Sequence, residues 1–241
     1  HRLMLSRCLL TRHALAINKR ERFDLVHDFS STPLMAWRTR IAARPARSAF
    51  IHTICTAGAG NRKFIGMLPR SLGALVFAEQ SMAESLRQSG CHVVRYIPLG
   101  IDLGEVRKLA GPIVRQIPGQ GPRILYVGPL TEKKGAWIAA EAFNRVAATM
   151  PSARFVVVTH GLDLKGYVYR DARREFLSRC ASPGQVEIME GVQNVPAWMA
   201  KADVLLYPLL EAGGTLMQPV TLLEAMATSS AIAASYMAMV R

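Results

Sequence analysis

Cysteines, aromatic residues and long apolar runs are all scarce in this 241-residue sequence, and each shortage excludes a class of protein. The four cysteines are far apart and form no CxxC pair, so the sequence predicts neither a disulfide framework nor a zinc site. No uninterrupted apolar run reaches the ~20 residues that a helix needs to span a bilayer. These features favour a cytoplasmic protein with reduced, buried thiols.

Acidic residues are also scarce, but only in one half of the chain. Residues 1–123 carry 19 Lys and Arg against 7 Asp and Glu, whereas residues 124–241 carry 11 and 10. The first half should therefore attract anions, and residues 1–22 predict a basic amphipathic helix that can lie on an anionic membrane surface. Nucleic acid is not expected as a partner, because the basic residues are not interleaved with aromatic ones and no nucleic-acid-binding motif occurs.

Half of the residues are apolar, which is enough to form a folded core. Short apolar runs alternate with segments of helical periodicity, which predicts an α/β fold with doubly wound parallel sheets. Residues 111–122 contain three prolines and three glycines and are typical of a linker. We therefore predict a first domain over residues 1–112, a linker over 113–122 and a second domain over 123–241.

The most informative stretch is residues 202–235, which predicts a strand, a loop, a helix and another strand. Pro208 and the Gly213–Gly214 pair mark the loop, and Pro219 lies near the start of the helix. Glu224 falls in the first turns of that helix. Ligands of open α/β sheets bind where strands end and helices begin, so a carboxylate there can hold hydroxyls while helix amides hold phosphate. In the alternative interpretation, the glutamate only favours the helix dipole.

A second anion-binding pattern begins the second half. Residues 123–127 predict a buried strand, residues 128–135 (GPLTEKKG) a turn, and residues 137–150 a helix. Lys134 follows the strand and the glycine turn and precedes the helix, a place where anions bind. An exposed lysine at a helix entry is the alternative.

Taken in order, these motifs resemble GT-B glycosyltransferases of family 4, the large set called glycosyl transferases group 1. The resemblance rests on residues 128–135, on VQNVPAWMAKADVLLYP at 192–208 and on PVTLLEAMA at 219–227. It extends from about residue 23 to residue 235 and is weak in the first half. It implies a GT-B-like fold of two Rossmann-like doubly wound parallel-sheet domains, both incomplete, in a fragment truncated at both ends.

The resemblance also implies an activity, the retaining transfer of a sugar from a UDP- or GDP-sugar to a sugar, polysaccharide or lipid-linked acceptor. Lys134 would contact the diphosphate and Glu224 the ribose hydroxyls, and His52, at the end of a predicted strand, would be catalytic near the donor sugar. A lone histidine at a strand end can equally be structural. The remaining residues assigned to the donor are Gly128, Lys133, Glu211, Gln218, Thr221 and Leu222. No metal or cofactor is implied, because the sequence has no DxD carboxylate pair and the family uses basic residues and helix dipoles instead.

Two positions depart from the family pattern. Pro129 stands where the family has an arginine of the diphosphate clamp, and Leu216 stands where it has a glutamate for the donor sugar. Either Glu211 or Gln218 replaces that glutamate, or this contact with the donor sugar is absent. Two other functions stay open, a non-catalytic basic module on anionic membranes and a GT-B sugar-nucleotide epimerase relative. The predicted location is cytoplasmic, peripheral on the inner face of the membrane if the basic half binds lipid.

Overall fold

The computed structural model describes residues 2–29, 33–54, 67, 74–77, 80–88, 93–114, 120–163, 168–211 and 219–236. The described residues form two units, each built around a parallel β-sheet. The first unit lies within residues 1–99, and the second within residues 100–211 and 219–241.

Among its described residues, the first unit contains four strands that pair in chain order, all in parallel. The strands are β1 (Leu25–Phe29), β2 (Ala49–Ile54), β3 (Ala74–Phe77) and β4 (Val94–Tyr96). The helices are α1 (Arg2–Glu21), α2 (Pro33–Ala43) and α3 (Gln80–Gln88). Parallel neighbours need crossover connections, and α2 and α3 lie in two of them. The sequence also predicts a basic loop and a helix over residues 56–70, which lie, except for residue 67, outside the described residues.

Helix α1 contacts the rest of this unit through a polar residue. Asn18 is buried, and its amide donates to the carbonyl oxygen of Ala42 at 2.9 Å and to the hydroxyl of Ser48 at 3.1 Å. By contrast, Leu9 and Leu10 on the same helix are 60% and 64% exposed. The part of the apolar side of α1 that these two leucines form therefore faces solvent.

The second unit has a five-stranded parallel sheet in the order β7-β6-β5-β8-β9. Its strands are β5 (Arg123–Val127), β6 (Arg154–Thr159), β7 (Val186–Glu190), β8 (Val204–Tyr207) and β9 (Ala231–Ala234). Its helices are α4 (Leu103–Ala110), α5 (Ala136–Thr149), α6 (Tyr169–Ser178), α7 (Val195–Met199) and α8 (Val220–Ala227). Counted from β5, this is the strand order 3-2-1-4-5 of a Rossmann-like sheet.

Both faces of this sheet are covered. On one face, Phe143 of α5 stacks on Phe155 of β6 with ring centroids 4.9 Å apart, and Phe176 of α6 packs beside them. On the other face, α7 and α8 pack on the side chains of β5, β6 and β8 through Met199 and Leu222. The doubly wound arrangement predicted from the alternating pattern is therefore present in the second unit.

Helix α4 was not predicted as a helix, and its residues fall in the predicted first domain. It packs on α7 and α8 of the second unit, and the Asn194 side chain donates to the carbonyl oxygen of Leu109 at 2.8 Å. Its start is fixed by Asp102, whose carboxylate accepts the backbone N–H of Glu105 at 2.9 Å. The Asp-x-x-Glu spacing is a capping signal that could have located this helix.

Candidate functional site

The centre of the second sheet contains a topological switch point. From β5 the chain proceeds to its neighbour β6, whereas from β8, on the other side of β5, it proceeds outward to β9. In such sheets the crevice beyond the carboxyl ends of the two diverging strands binds ligands. Residues 128–135 follow β5 and residues 208–211 follow β8, so both segments lie at this edge.

The loop after β5 is held in place by its neighbours. The N–H of Gly128 donates to the carbonyl oxygen of Val158 at 2.9 Å. The hydroxyl of Tyr126 lies 2.9 Å from the carbonyl oxygen of Pro129 and 3.2 Å from that of Lys134, so it can donate to either. Sequence reasoning missed Tyr126, because nothing in the pattern distinguishes this tyrosine from a core residue. These hydrogen bonds join the loop to β6 and connect its two ends through Tyr126.

Gly135 ends the loop and packs directly against the segment after β8. Its φ is 75°, and a Cβ added to it would lie 1.7 Å from the carbonyl oxygen of Pro208. Only glycine fits, because any side chain would meet both a left-handed backbone conformation and a backbone atom. This close approach joins the two segments that follow β5 and β8.

Lys133 and Glu211, both assigned to the donor, are brought together. Their Nζ and Oε2 atoms lie 2.7 Å apart, and both side chains are mostly exposed. The hydrogen bond and the charge of Glu211 raise the pKa of Lys133. The backbone N–H groups of Leu210 and Glu211 also approach the carbonyl oxygen of Lys133 at 3.1 Å. Both the side chain and the backbone of Lys133 therefore bind the segment that follows β8.

Lys134 and Glu224 are the two half-buried ionisable groups among the predicted residues of this edge. Burial lowers the pKa of Lys134 and raises the pKa of Glu224, because the charged form of each loses hydration. Lys134 precedes α5, and Glu224 lies on α8. Within the described part of the chain, no side chain caps the first turn of either helix. Amides at helix starts without a cap can bind an anion.

The other two predicted donor-binding residues of α8, Thr221 and Leu222, differ in how deeply their side chains are buried. Thr221 is half-buried, whereas the side chain of Leu222 is buried in the core beneath the helix. The N–H groups of Leu222 and Leu223 lie within 2.9 and 3.3 Å of the carbonyl oxygen of Pro219. Leu222 therefore holds the helix on the sheet, and Gln218 lies outside the described residues.

His52 lies in the first unit, on β2, and its side chain is fully buried. Its Nδ1 is 2.6 Å from Oδ2 of Asp28 on the adjacent strand β1, and the two residues are register partners. The hydroxyl of Thr39 donates to the other oxygen of Asp28 at 3.3 Å. Sequence reasoning missed Asp28, although a carboxylate within a short apolar segment was a usable signal. In the described residues, His52 thus belongs to an internal polar network.

A family comparison finds a match in the second half of the chain. Residues 121–240 match the family described as glycosyl transferases group 1. We call this matching half the group 1 domain. A search of curated proteins finds no match to the chain. No group of three or more His, Cys, Asp or Glu side chains that could hold a metal ion occurs among the described residues.

Solved structures of low sequence identity share the fold of this chain. Anabaena HepE in complex with UDP-glucose has a TM-score of 0.67 at 15% identity, covering 93% of this chain and 62% of HepE. A glycosyltransferase from Rickettsia africae ESF-5 has a TM-score of 0.67 at 14% identity, covering 92% and 60%. A UDP-forming trehalose-phosphate synthase from Burkholderia xenovorans has a TM-score of 0.61 at 15% identity, covering 90% and 60%.

These similarities confirm the predicted GT-B fold of two Rossmann-like parallel-sheet units. At such low identities they show the fold alone. The chain spans about three fifths of the length of these proteins.

Proposed function

We propose that this chain acts as a retaining glycosyltransferase of family 4, transferring a sugar from a nucleotide diphosphate-sugar to an acceptor. One observation carries the proposal. Lys134 and Glu224, half-buried groups of opposite charge, follow the two strands that diverge at the switch point of the group 1 domain. The complexes of HepE with UDP and with UDP-glucose support this assignment by analogy of fold.

In this proposal Lys134 and the first amides of α5 bind the diphosphate. Burial lowers the pKa of Lys134 because its ammonium group is poorly hydrated, so an anion that replaces the lost hydration is strongly favoured. When the sugar leaves, negative charge grows on the diphosphate, and donors already fixed in place stabilise that charge. The hydrogen bonds of Gly128 and Tyr126 supply the fixed loop that this requires.

Glu224 would hold the ribose hydroxyls of the donor. A half-buried carboxylate has lost part of its hydration, which is why its pKa is raised. Two ligand hydroxyls can donate to it and restore the lost hydrogen bonds. Thr221 and the backbone of Leu222 would lie beside them in the first turn of α8.

The Lys133–Glu211 pair would serve the sugar rather than the phosphate. Lys133 Nζ contacts one carboxylate oxygen of Glu211, and the side chain of Glu211 is 56% exposed. The second carboxylate oxygen of Glu211 can accept a hydrogen bond from a sugar hydroxyl. Glu211 would thereby replace the glutamate that the family has at the position of Leu216. A catalytic role for His52 is the part that the geometry supports least, because its side chain is fully buried beside Asp28.

A non-catalytic membrane-binding module is the second candidate, and it rests on α1. Leu9 and Leu10 are exposed on this helix together with Arg12, Lys19 and Arg20. No helix among the described residues is both long and apolar enough to cross a bilayer. Surface binding is compatible with an enzyme that acts on a lipid-linked acceptor, whereas the epimerase alternative would use the same donor edge.

The direct test is donor turnover by the 241-residue chain. UDP- and GDP-sugars are incubated with it, with and without sugar and lipid-linked acceptors, and nucleoside diphosphate release and the anomeric form of the product are measured. We expect release that depends on donor and acceptor and is lost in Lys134→Ala. The control Lys19→Ala, at an exposed lysine of α1, should retain it. Isomerised donor without transfer would support the epimerase, and no turnover with intact vesicle binding would support the membrane module.

A further inference from the structure

A cavity opens at the end of the group 1 domain opposite to the proposed donor edge, where β5, β6 and β7 begin. Its volume is about 670 Å³, within the usual range for small-molecule sites. The side chains that carry its chemistry are Arg123, Arg154, Glu187, Trp198 and Lys201. The strands are five or six residues long, so at ~3.3 Å per residue this end lies roughly 15–20 Å from the carboxyl edge. A ligand here would be separate from the donor.

The two arginines face each other across adjacent strands. Arg123 and Arg154 are register partners at the first positions of β5 and β6. Side chains alternate along a strand, so both point to the face that Leu125 and Val156 share with α7. Like charges placed directly opposite on neighbouring strands destabilise a sheet. Fold stability alone therefore does not explain this pair, and an anion between them would remove the repulsion.

The positive charges of the cavity are not neutralised by ion pairs within the described residues. Arg123 donates to the side-chain oxygen of Gln120 at 2.7 Å, and Arg154 donates to the carbonyl oxygen of Ala153 at 3.2 Å. Lys201 Nζ lies 5.5 Å from the centroid of the Trp198 ring. One carboxylate, Glu187, lines the same cavity. Three cations against one anion give this lining an excess of positive charge.

Hydrogen bonds and close packing hold the rim of the cavity together. The Gln185 side chain donates to the carbonyl oxygens of Pro151 at 2.6 Å and Ala153 at 3.0 Å. Gly121 packs so closely on Ser152 that an added Cβ would lie 2.2 Å from its carbonyl carbon. Asp203 accepts the backbone N–H of Arg123 at 2.8 Å and so fixes the start of β5. A site that is ordered before binding loses less entropy on binding.

We propose that this cavity binds a small organic phosphate, separately from the nucleotide-sugar. The guanidinium groups of Arg123 and Arg154 match the geometry of phosphate oxygens, and Lys201 adds a third positive charge. Half-buried Trp198 offers an apolar surface for the organic part of the ligand. This inference does not depend on the proposed transferase activity.

The test uses phenyl phosphate as the probe, titrated into the 241-residue chain by calorimetry, with phenol as a neutral control. Arg123→Gln and Arg154→Gln should each weaken binding at least tenfold, as expected for loss of a charge-assisted contact. Lys201→Gln should weaken it several-fold. Arg179→Gln is the matched control, because Arg179 lies over Trp137, 5.0 Å from the ring centroid, outside the cavity. It should bind like the unmodified chain.

Two further measurements separate the outcomes. Without ligand, Arg154→Gln should melt no lower than the unmodified chain, because the change removes a like-charge contact. Lys134→Ala should leave phenyl phosphate binding unchanged, which separates this cavity from the donor edge. Failure to bind, equal weakening in Arg179→Gln, or loss in Lys134→Ala with retention in Arg154→Gln would each overturn the proposal. If an arginine variant fails to fold, the exposed Lys201→Gln variant decides.

Discussion

Replacing Glu224 by glutamine should have opposite effects on stability and on ligand binding. The side chain is half-buried, and burial raises the pKa of its carboxyl group above the ordinary value of 4.5. The folded state therefore keeps its proton to higher pH than the unfolded state does. Stability falls as pH rises from 4.5 through the folded pKa, and the loss is complete above that pKa. Glu224→Gln removes this loss.

The unliganded variant should consequently melt at a higher temperature than the unmodified chain at pH 7. The difference should shrink as pH falls below 4.5, where the carboxyl group is neutral in both states. Binding should change in the other direction, because the neutral amide replaces a carboxylate that accepts hydrogen bonds from ribose. Loss of hydrogen bonding to a charged group costs about 1.5–3 kcal/mol, or roughly 10- to 150-fold in Kd for the nucleotide.

Thermal melts across this pH range and calorimetry with UDP and GDP measure both effects. Glu141→Gln is the control, because Glu141 is an exposed glutamate on α5. It should change neither quantity. Unchanged affinity for both nucleotides would remove Glu224 from the donor site. A lower melting temperature at pH 7 would show that the carboxylate stabilises the fold and would refute the reasoning from burial.

Three further predictions concern other parts of the chain. Gly135→Ala should destabilise the fold by roughly 1–3 kcal/mol or more through backbone strain and overlap with the neighbouring carbonyl, measured by urea unfolding. Gly184→Ala, which has nothing within 4 Å of the added Cβ, should cost less than Gly135→Ala, and equal costs would contradict the packing. Asp28→Ala should cost about 1–3 kcal/mol, because it leaves the buried Nδ1 of His52 without its carboxylate; a neutral effect would mean that the network is not structural. The basic first half should bind anionic vesicles in a salt-sensitive way, at about 1 kcal/mol per basic residue near the surface, and equal sedimentation with neutral vesicles would refute it.

The sequence allowed the fold of the second half to be predicted because its signals are local. Apolar runs with period 2 or 3.6 and glycine or proline breaks identify β5 and α5 to within one residue, and they give the order of β8 and α8. Residues next to a strand end, such as Lys134, could also be located in this way. The sequence alone does not show that Lys134 is half-buried. Its burial depends on which strands are neighbours in the sheet, and only the resemblance implied that order.

The features that were missed depend on contacts between distant residues. The ion pair of Lys133 with Glu211 joins positions 78 apart, and the loop length that permits it has no sequence signal. Helix α4 is joined to the second unit by the hydrogen bond from Asn194 to Leu109, and these two residues lie 85 positions apart in the sequence. The opposition of Arg123 and Arg154 depends on strand register, which a sequence pattern does not fix. The burial of His52 also depends on strand register, because the register places Asp28 of the adjacent strand beside it.

The most direct test of the central claim, that the group 1 domain binds a nucleoside diphosphate at the carboxyl edge of its sheet, compares UDP with uridine. Calorimetry on the unmodified chain and on Lys134→Ala gives four affinities, with Lys19→Ala as the control. We predict that Lys134→Ala loses far more affinity for UDP than for uridine, because the half-buried ammonium group contacts only the diphosphate. An equal loss for both ligands, or no loss for UDP, would contradict the claim.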